Sequence, residues 1–111
     1  MNWIHLTDEA QLSEIISKSV KKPQVIFKHS TRCSISSVAF QRLQKAKQPD
    51  GMDFYYLDLL AHRPLSNKVS ELFSVHHESP QILVIKDGKC IYDESHLAIS
   101  MMDIVESARV A

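Results

Sequence analysis

One stretch of this chain carries residue types that can do covalent chemistry: Lys28-His29-Ser30-Thr31-Arg32-Cys33-Ser34-Ile35-Ser36-Ser37. An apolar run ends there, a thiol follows, and a helical pattern begins. A cysteine at a helix start sits among unsatisfied backbone N–H groups at the positive end of the helix dipole. That setting favours the thiolate, the form that attacks disulfides and peroxides. Arg32 adds positive charge, and the Ser36 hydroxyl is a candidate donor to the sulfur. His29 and Lys28 are further contributors, His29 as a contact for bound ligand, while Lys28 equally suits the exposed end of a strand. Ser36 also stands where a dithiol oxidoreductase carries its second cysteine. No internal Cys-x-x-Cys disulfide can therefore form, and Cys33 is limited to monothiol exchange with thiols from solution.

The alternative for Cys33 is a small buried apolar residue, as cysteine often is; the polar loop before it and the helix start argue against that. Cys90 follows an Asp87-Gly88 turn, several residues of ~3.3 Å rise from Pro80, which puts it at the far end of a sheet from Cys33 as an ordinary structural thiol. His62, His76 and His77 lack the spacing and the cysteine partners of a zinc site, so no metal is expected. His77-Glu78 suits either a groove opposite Cys33 or a solvated loop. Only two glycines are present, and no phosphate-binding loop can be built from them.

The elements that must position this stretch follow from periodicity. Trp3-Ile4-His5-Leu6 is a short strand, after which Thr7 is the expected N-cap of a helix with Asp8 and Glu9 in its first turn and Leu12, Ile15, Ile16 and Val20 on its apolar face. Lys18, Lys21 and Lys22 suit the end of that helix, which Pro23 stops. Gln24-Val25-Ile26-Phe27-Lys28 reads as a strand covered on both faces, hence central in a sheet. Val38, Phe40, Leu43 and Ala46 share the next helix, with Cys33 at or just before its first turn. A strand from Asp53 to Leu60 precedes a helix with Pro64 in its first turn and Leu65, Val69, Leu72 and Phe73 along it. Gln81-Ile82-Leu83-Val84-Ile85-Lys86 and Lys89-Cys90-Ile91-Tyr92-Asp93 flank Asp87-Gly88 as a hairpin. Ser100 and Asp103 form a capping box for a last helix burying Ile104, Val105 and Ala108. The order βαβαβαββα makes an α/β protein with a mixed sheet and helices on both faces.

The 111 residues, 44% of them apolar, are enough for a single domain spanning residues 1–111. Thirteen basic and thirteen acidic side chains cancel, so no net field gathers nucleic acid or an anionic membrane. Neither a secretory leader pattern nor a run of ~20 apolar residues is present, and two cysteines do not make a secreted disulfide scaffold. A soluble protein of a reducing cytoplasm is expected, a monomer or weak dimer.

This layout resembles a thioredoxin-like domain: a cysteine between a buried strand and its helix, a Ser-Pro before a later strand, and a strand-Asp-Gly-strand hairpin with a terminal helix. The resemblance implies a cis Ser79-Pro80 whose loop lies beside Cys33. More narrowly, Lys28-His29-Ser30, Cys33-Ser34-Ile35-Ser36 and His77-Glu78-Ser79-Pro80-Gln81 resemble the bacillithiol-associated monothiol family called bacilliredoxin C. The usual Thr-Cys-Pro-Ile-Ser of that family is altered here to Arg32-Cys33-Ser34-Ile35-Ser36. The resemblance implies removal of bacillithiol, or a similar small thiol acting as co-substrate, from mixed disulfides on S-thiolated cytoplasmic proteins, with no bound cofactor. Cys33 and Ser36 are then the catalytic residues. Arg32, His29, Ser34, Ser79 and Pro80 are the ligand contacts, the backbone beside Pro80 pairing with an extended cysteinyl ligand. Two other readings stay open: a non-catalytic thioredoxin-like adaptor binding a partner beside Pro80, and a thiol peroxidase.

Overall fold

The computed structural model describes residues 1–110; residue 111, the last of the expected domain, lies outside them. Five strands and four helices follow the expected order: β1 (Trp3–His5), α1 (Ala10–Lys18), β2 (Gln24–His29), α2 (Ser34–Lys45), β3 (Asp53–Asp58), α3 (Arg63–Leu72), β4 (Gln81–Lys86), β5 (Lys89–Ser95) and α4 (Met101–Val110), with a single 3₁₀ turn (His96–Ala98) before α4. The sheet order is β1-β3-β2-β4-β5. β3 pairs parallel with β1 and β2, while β4 runs antiparallel to β2 and β5 antiparallel to β4, which makes the sheet mixed.

β2 is central, and every one of its residues is buried. Strand alternation divides its side chains between two cores. Val25 and Phe27 join Ala39 and Leu43 of α2 and Ile104 and Ala108 of α4; Ile26 joins Leu12 and Ile15 of α1 and Leu65 and Val69 of α3. The site-bearing strand is thereby clamped from both sides.

Several sequence expectations shift by a residue or a turn. Thr7 does not cap α1: the Asp8 carboxylate accepts the Gln11 N–H at 3.3 Å, and Gln11 Oε1 reaches back to the N–H of Thr7 at 2.7 Å and of Asp8 at 3.1 Å. This is a capping box one residue later, with the better capping side chain. Helix α1 ends at Lys18, short of Pro23, and leaves Val20 67% exposed. Ser19 instead turns inward, its carbonyl accepting the Asp87 N–H at 3.0 Å and its hydroxyl the Gly88 N–H at 2.8 Å. Val38 and Leu72 lie outside the cores because the buried face of α2 runs through Ser36, Ala39 and Leu43 and that of α3 through Leu65, Ser66 and Val69. Ser100 does cap α4, accepting the Asp103 N–H at 3.2 Å.

The β4–β5 turn places Asp87 at φ 51° and Gly88 at φ 76°, both left-handed, as a two-residue hairpin of this twist requires. A Cβ on Gly88 meets only Ile16 Cγ2, at an ordinary 3.5 Å. Gly88→Ala is therefore expected to cost about 1 kcal/mol through backbone conformation alone, read as a shift in the urea midpoint at unchanged m.

Candidate active site

Sheet topology brings the two candidate segments together. Lys28 at the end of β2 pairs with Gln81 at the start of β4, so the loop leading to Cys33 and the Ser79–Pro80 peptide close the same end of the sheet. That peptide is cis, as the resemblance implied. Pro80 is buried, and its carbonyl accepts the His96 N–H at 2.9 Å. Cys90 pairs with Ile85, whose other neighbour is Gln24, at the opposite end of β2. Burial pushes the Cys90 thiol up to about 11, and its Sγ contacts the Tyr92 carbonyl oxygen at 3.3 Å; such a thiol stays protonated at neutral pH.

Cys33 is the N-cap of α2, in extended conformation at φ −105° and ψ 122°, and is partly exposed. Its N–H donates to the Ser30 carbonyl at 3.2 Å, and its own carbonyl accepts the first helical bond, from Ser37 N–H at 3.0 Å. The N–H groups of Ser34, Ile35 and Ser36 precede that bond and have no intrahelical partner. An N-cap side chain ordinarily supplies an oxygen to them. Here a sulfur occupies the position without a side-chain capping bond, so a negative charge on that sulfur meets the positive end of the helix. Arg32 and Ser34 flank it, both exposed to solvent.

Ser36, expected to donate to the sulfur, is turned the other way. It is fully buried; its Oγ lies 2.6 Å from His29 Nδ1 and accepts the Ser30 N–H at 3.0 Å, and it forms no hydrogen bond with Cys33. Helix phase explains this, since Ser36 shares the inward face with Ala39 and Leu43. With the imidazole proton on Nε2, Nδ1 accepts from the hydroxyl. With the proton on Nδ1, the ring donates and the hydroxyl hydrogen is released.

His29, expected as a ligand contact, is only 5% exposed. Its ring stacks on Phe27 and Phe40 and meets Tyr56 at a tilt. Burial pushes its pKa below the usual histidine value, with the Asp58 carboxylate opposing. In this state His29 therefore braces Ser36 and the loop before Cys33 from beneath. Ser79 is half-buried, and its hydroxyl is buried without a hydrogen-bond partner.

Lys28 is neither a strand-end surface residue nor a neighbour of the sulfur. Strand alternation turns it to the face opposite His29, where it is 0% exposed. Its Nζ donates to the Ser66 carbonyl at 3.1 Å, to Ser70 Oγ at 2.7 Å and to His77 Nδ1 at 3.2 Å. Desolvation pulls its pKa from 10.5 down to about 8. The link to Ser70 and His77 was missed in the sequence, although a lysine inside a strand read as covered on both faces was a signal for it. Among the described residues no three His, Cys, Asp or Glu side chains are grouped so that they could hold an ion.

Among solved structures, a protein described as a candidate oxidoreductase with a thioredoxin fold matches with a TM-score of 0.82 at 29% identity, over 94% of this chain and 91% of that one. Thioredoxin from Fasciola hepatica matches with a TM-score of 0.73 at 21% identity, over 95% and 96% of the two chains. Thioredoxin from Trypanosoma brucei brucei matches with a TM-score of 0.72 at 14% identity, over 95% and 92%. The fold is that of thioredoxin, and with the first of these structures it supports a thiol-oxidoreductase role. The family model of the monothiol bacilliredoxin BrxC matches residues 4–104. With that match spanning nearly the whole sequence, the thiol at the start of α2 and its serine three residues on included, the chain belongs to the monothiol bacilliredoxin BrxC family.

Proposed function

We propose that this chain is a monothiol thiol–disulfide oxidoreductase that removes bacillithiol, or a similar small thiol, from mixed disulfides on cytoplasmic proteins. Cys33 is its nucleophile. The observation that carries this reading is a partly exposed cysteine at the N-cap of α2 with serine at position 36. In the first step the Cys33 thiolate attacks the small-thiol sulfur of the mixed disulfide. The disulfide bond of the substrate breaks, the substrate cysteine leaves as a thiolate, and a new disulfide joins Cys33 to the small thiol. In the second step a thiolate from solution attacks that disulfide, releasing Cys33 and a small-molecule disulfide. No electrons are gained or lost by the protein over the cycle.

Arg32, Ser34 and the backbone at Ser79 and Pro80 are the proposed substrate contacts. Ser36 and His29 hold the Cys33 loop from behind. The partners are S-thiolated proteins and the small thiol, with neither nucleic acid nor membrane; the protein works as a monomer or weak dimer and holds no cofactor. Incubating a bacillithiolated protein with this chain and following both by intact mass is the test. The expected result is a bacillithiol adduct that peptide mapping places on Cys33, matched by a free thiol on the substrate. No adduct on Cys33 overturns the proposal, and rapid peroxide consumption in its place favours the peroxidase reading.

A further inference from the structure

We propose that Lys28 is a positioning residue for the exchange reaction: its buried ammonium grips His77 and thereby holds residues 76–80, which carry Ser79 and Pro80, at the end of the sheet where Cys33 sits. The inference rests on the exchange chemistry proposed above but concerns a side chain that does not touch the thiol.

An ammonium has three hydrogens and needs three acceptors. Lys28 finds them in two places: the Ser66 carbonyl and Ser70 hydroxyl on α3, and His77 Nδ1 on the segment before β4. Central β2, α3 and this segment thus meet at one atom. Beyond the backbone bond from His96 N–H to the Pro80 carbonyl at 2.9 Å, which holds the end of the segment next to β4, the other ties of residues 76–79 are local or exposed. Gln81 Nε2 donates to the His76 carbonyl at 2.9 Å, and Glu78 lies 3.6 Å from exposed His96 and 3.9 Å from exposed His76.

The contact also dictates the state of His77. A nitrogen that accepts from an ammonium carries no proton, so the ring is neutral with its hydrogen on Nε2. Burial foremost, then Lys28 from β2, Arg63 from α3 and neighbouring His76, oppose a positive charge on His77; Glu78 alone favours it. Protonating the ring removes the acceptor and sets two cations against each other, which breaks the tie. Alkaline pH acts differently, because a neutral Lys28 amine keeps two hydrogens and gains a lone pair.

Amide hydrogen exchange of residues 76–79 and the ring titration of His77 are to be measured by NMR in the wild type, Lys28→Met and His77→Ala. Lys28→Met replaces the chain by an apolar one of similar length, and His77→Ala alters only a half-buried loop side chain; unchanged amide protection in β2 and β5 verifies the fold of each. Loss of one charge-assisted hydrogen bond is expected to lower the protection of the segment about tenfold in both variants. In Lys28→Met the His77 midpoint rises toward 6.5, and in the wild type the segment loosens as pH falls through the His77 titration. Exchange with a bacillithiolated substrate slows about tenfold in kcat/KM in both, while alkylation of Cys33 by a small uncharged reagent keeps its wild-type rate. Unchanged segment protection, an unmoved His77 midpoint in Lys28→Met, or unchanged kcat/KM overturns the proposal. The NMR readouts need no disulfide substrate, so an inactive wild type counts against the exchange reading alone.

Discussion

Cys33→Ser is expected to lower disulfide exchange by about 10³-fold or more while making the protein more stable. The two effects have opposite signs because one atom serves two roles. Exchange requires a thiolate at working pH, and an alkoxide is not available from serine. Yet an N-cap prefers an oxygen that accepts the N–H of the second or third helical residue, here Ile35 or Ser36, and the native cap of α2 has no such side-chain bond. Serine at this position supplies it, a gain of about 1 kcal/mol. The activity is read as the initial rate of small-thiol release from a bacillithiolated protein, and the stability from urea denaturation. A variant retaining more than a tenth of the wild-type rate would remove Cys33 from the mechanism. A variant less stable than the wild type would mean that the sulfur already satisfies the helix terminus.

The second large effect is expected at Ser36. Ser36→Ala deletes the hydroxyl that lies 2.6 Å from His29 Nδ1 and accepts the Ser30 N–H at 3.0 Å, and leaves a buried imidazole nitrogen and a half-buried N–H without it. Each buried polar group deprived of its partner costs about 1–3 kcal/mol, so the variant should lose about 3 kcal/mol of stability despite the better helix propensity of alanine. For a domain of this size the melting temperature falls by roughly 10–20 °C. Because the lost bonds join β2, the turn through Ser30 and α2, amides from Ser30 to Cys33 should exchange faster than those of β4. A loss under about 0.5 kcal/mol would show that water replaces the hydroxyl without cost.

Much of this architecture was legible because its signals are local and agree with one another. The compact apolar run from Gln24 to Lys28, the Asp87-Gly88 turn and the Pro64 helix start each have a single favourable backbone solution, and together they leave few topologies. The position of Cys33 at a helix start came from the same reasoning. The directions of polar side chains were harder to read. Ser36 lies three residues before Ala39 and seven before Leu43, so helical phase pointed it inward, but proximity in sequence suggested the thiol instead. Lys28 closes an apolar run, where a lysine usually turns out to solvent; its burial depends on Ser66, Ser70 and His77, which are distant in sequence. Gln24 is similar, its amide shared between the Tyr55 hydroxyl at 2.9 Å and Asp53 at 2.9 Å on the neighbouring strand. Such groups are placed by tertiary partners, and periodicity carries no information about those.

The strand order has a consequence for a chain still being made. Roughly fifty residues separate Lys28 from Gln81, its partner across the sheet. A ribosome therefore releases Cys33, with β2 and α2 around it, well before it releases Ser79, Pro80 and the strand that brings them alongside. A nascent chain at that stage carries the thiol without the Ser79–Pro80 peptide that closes the same end of the finished sheet. Under the proposed function, discrimination among disulfides would be a property of the finished sheet, acquired when β4 pairs with β2 and β5, and the newborn protein would itself be open to the S-thiolation it is proposed to reverse.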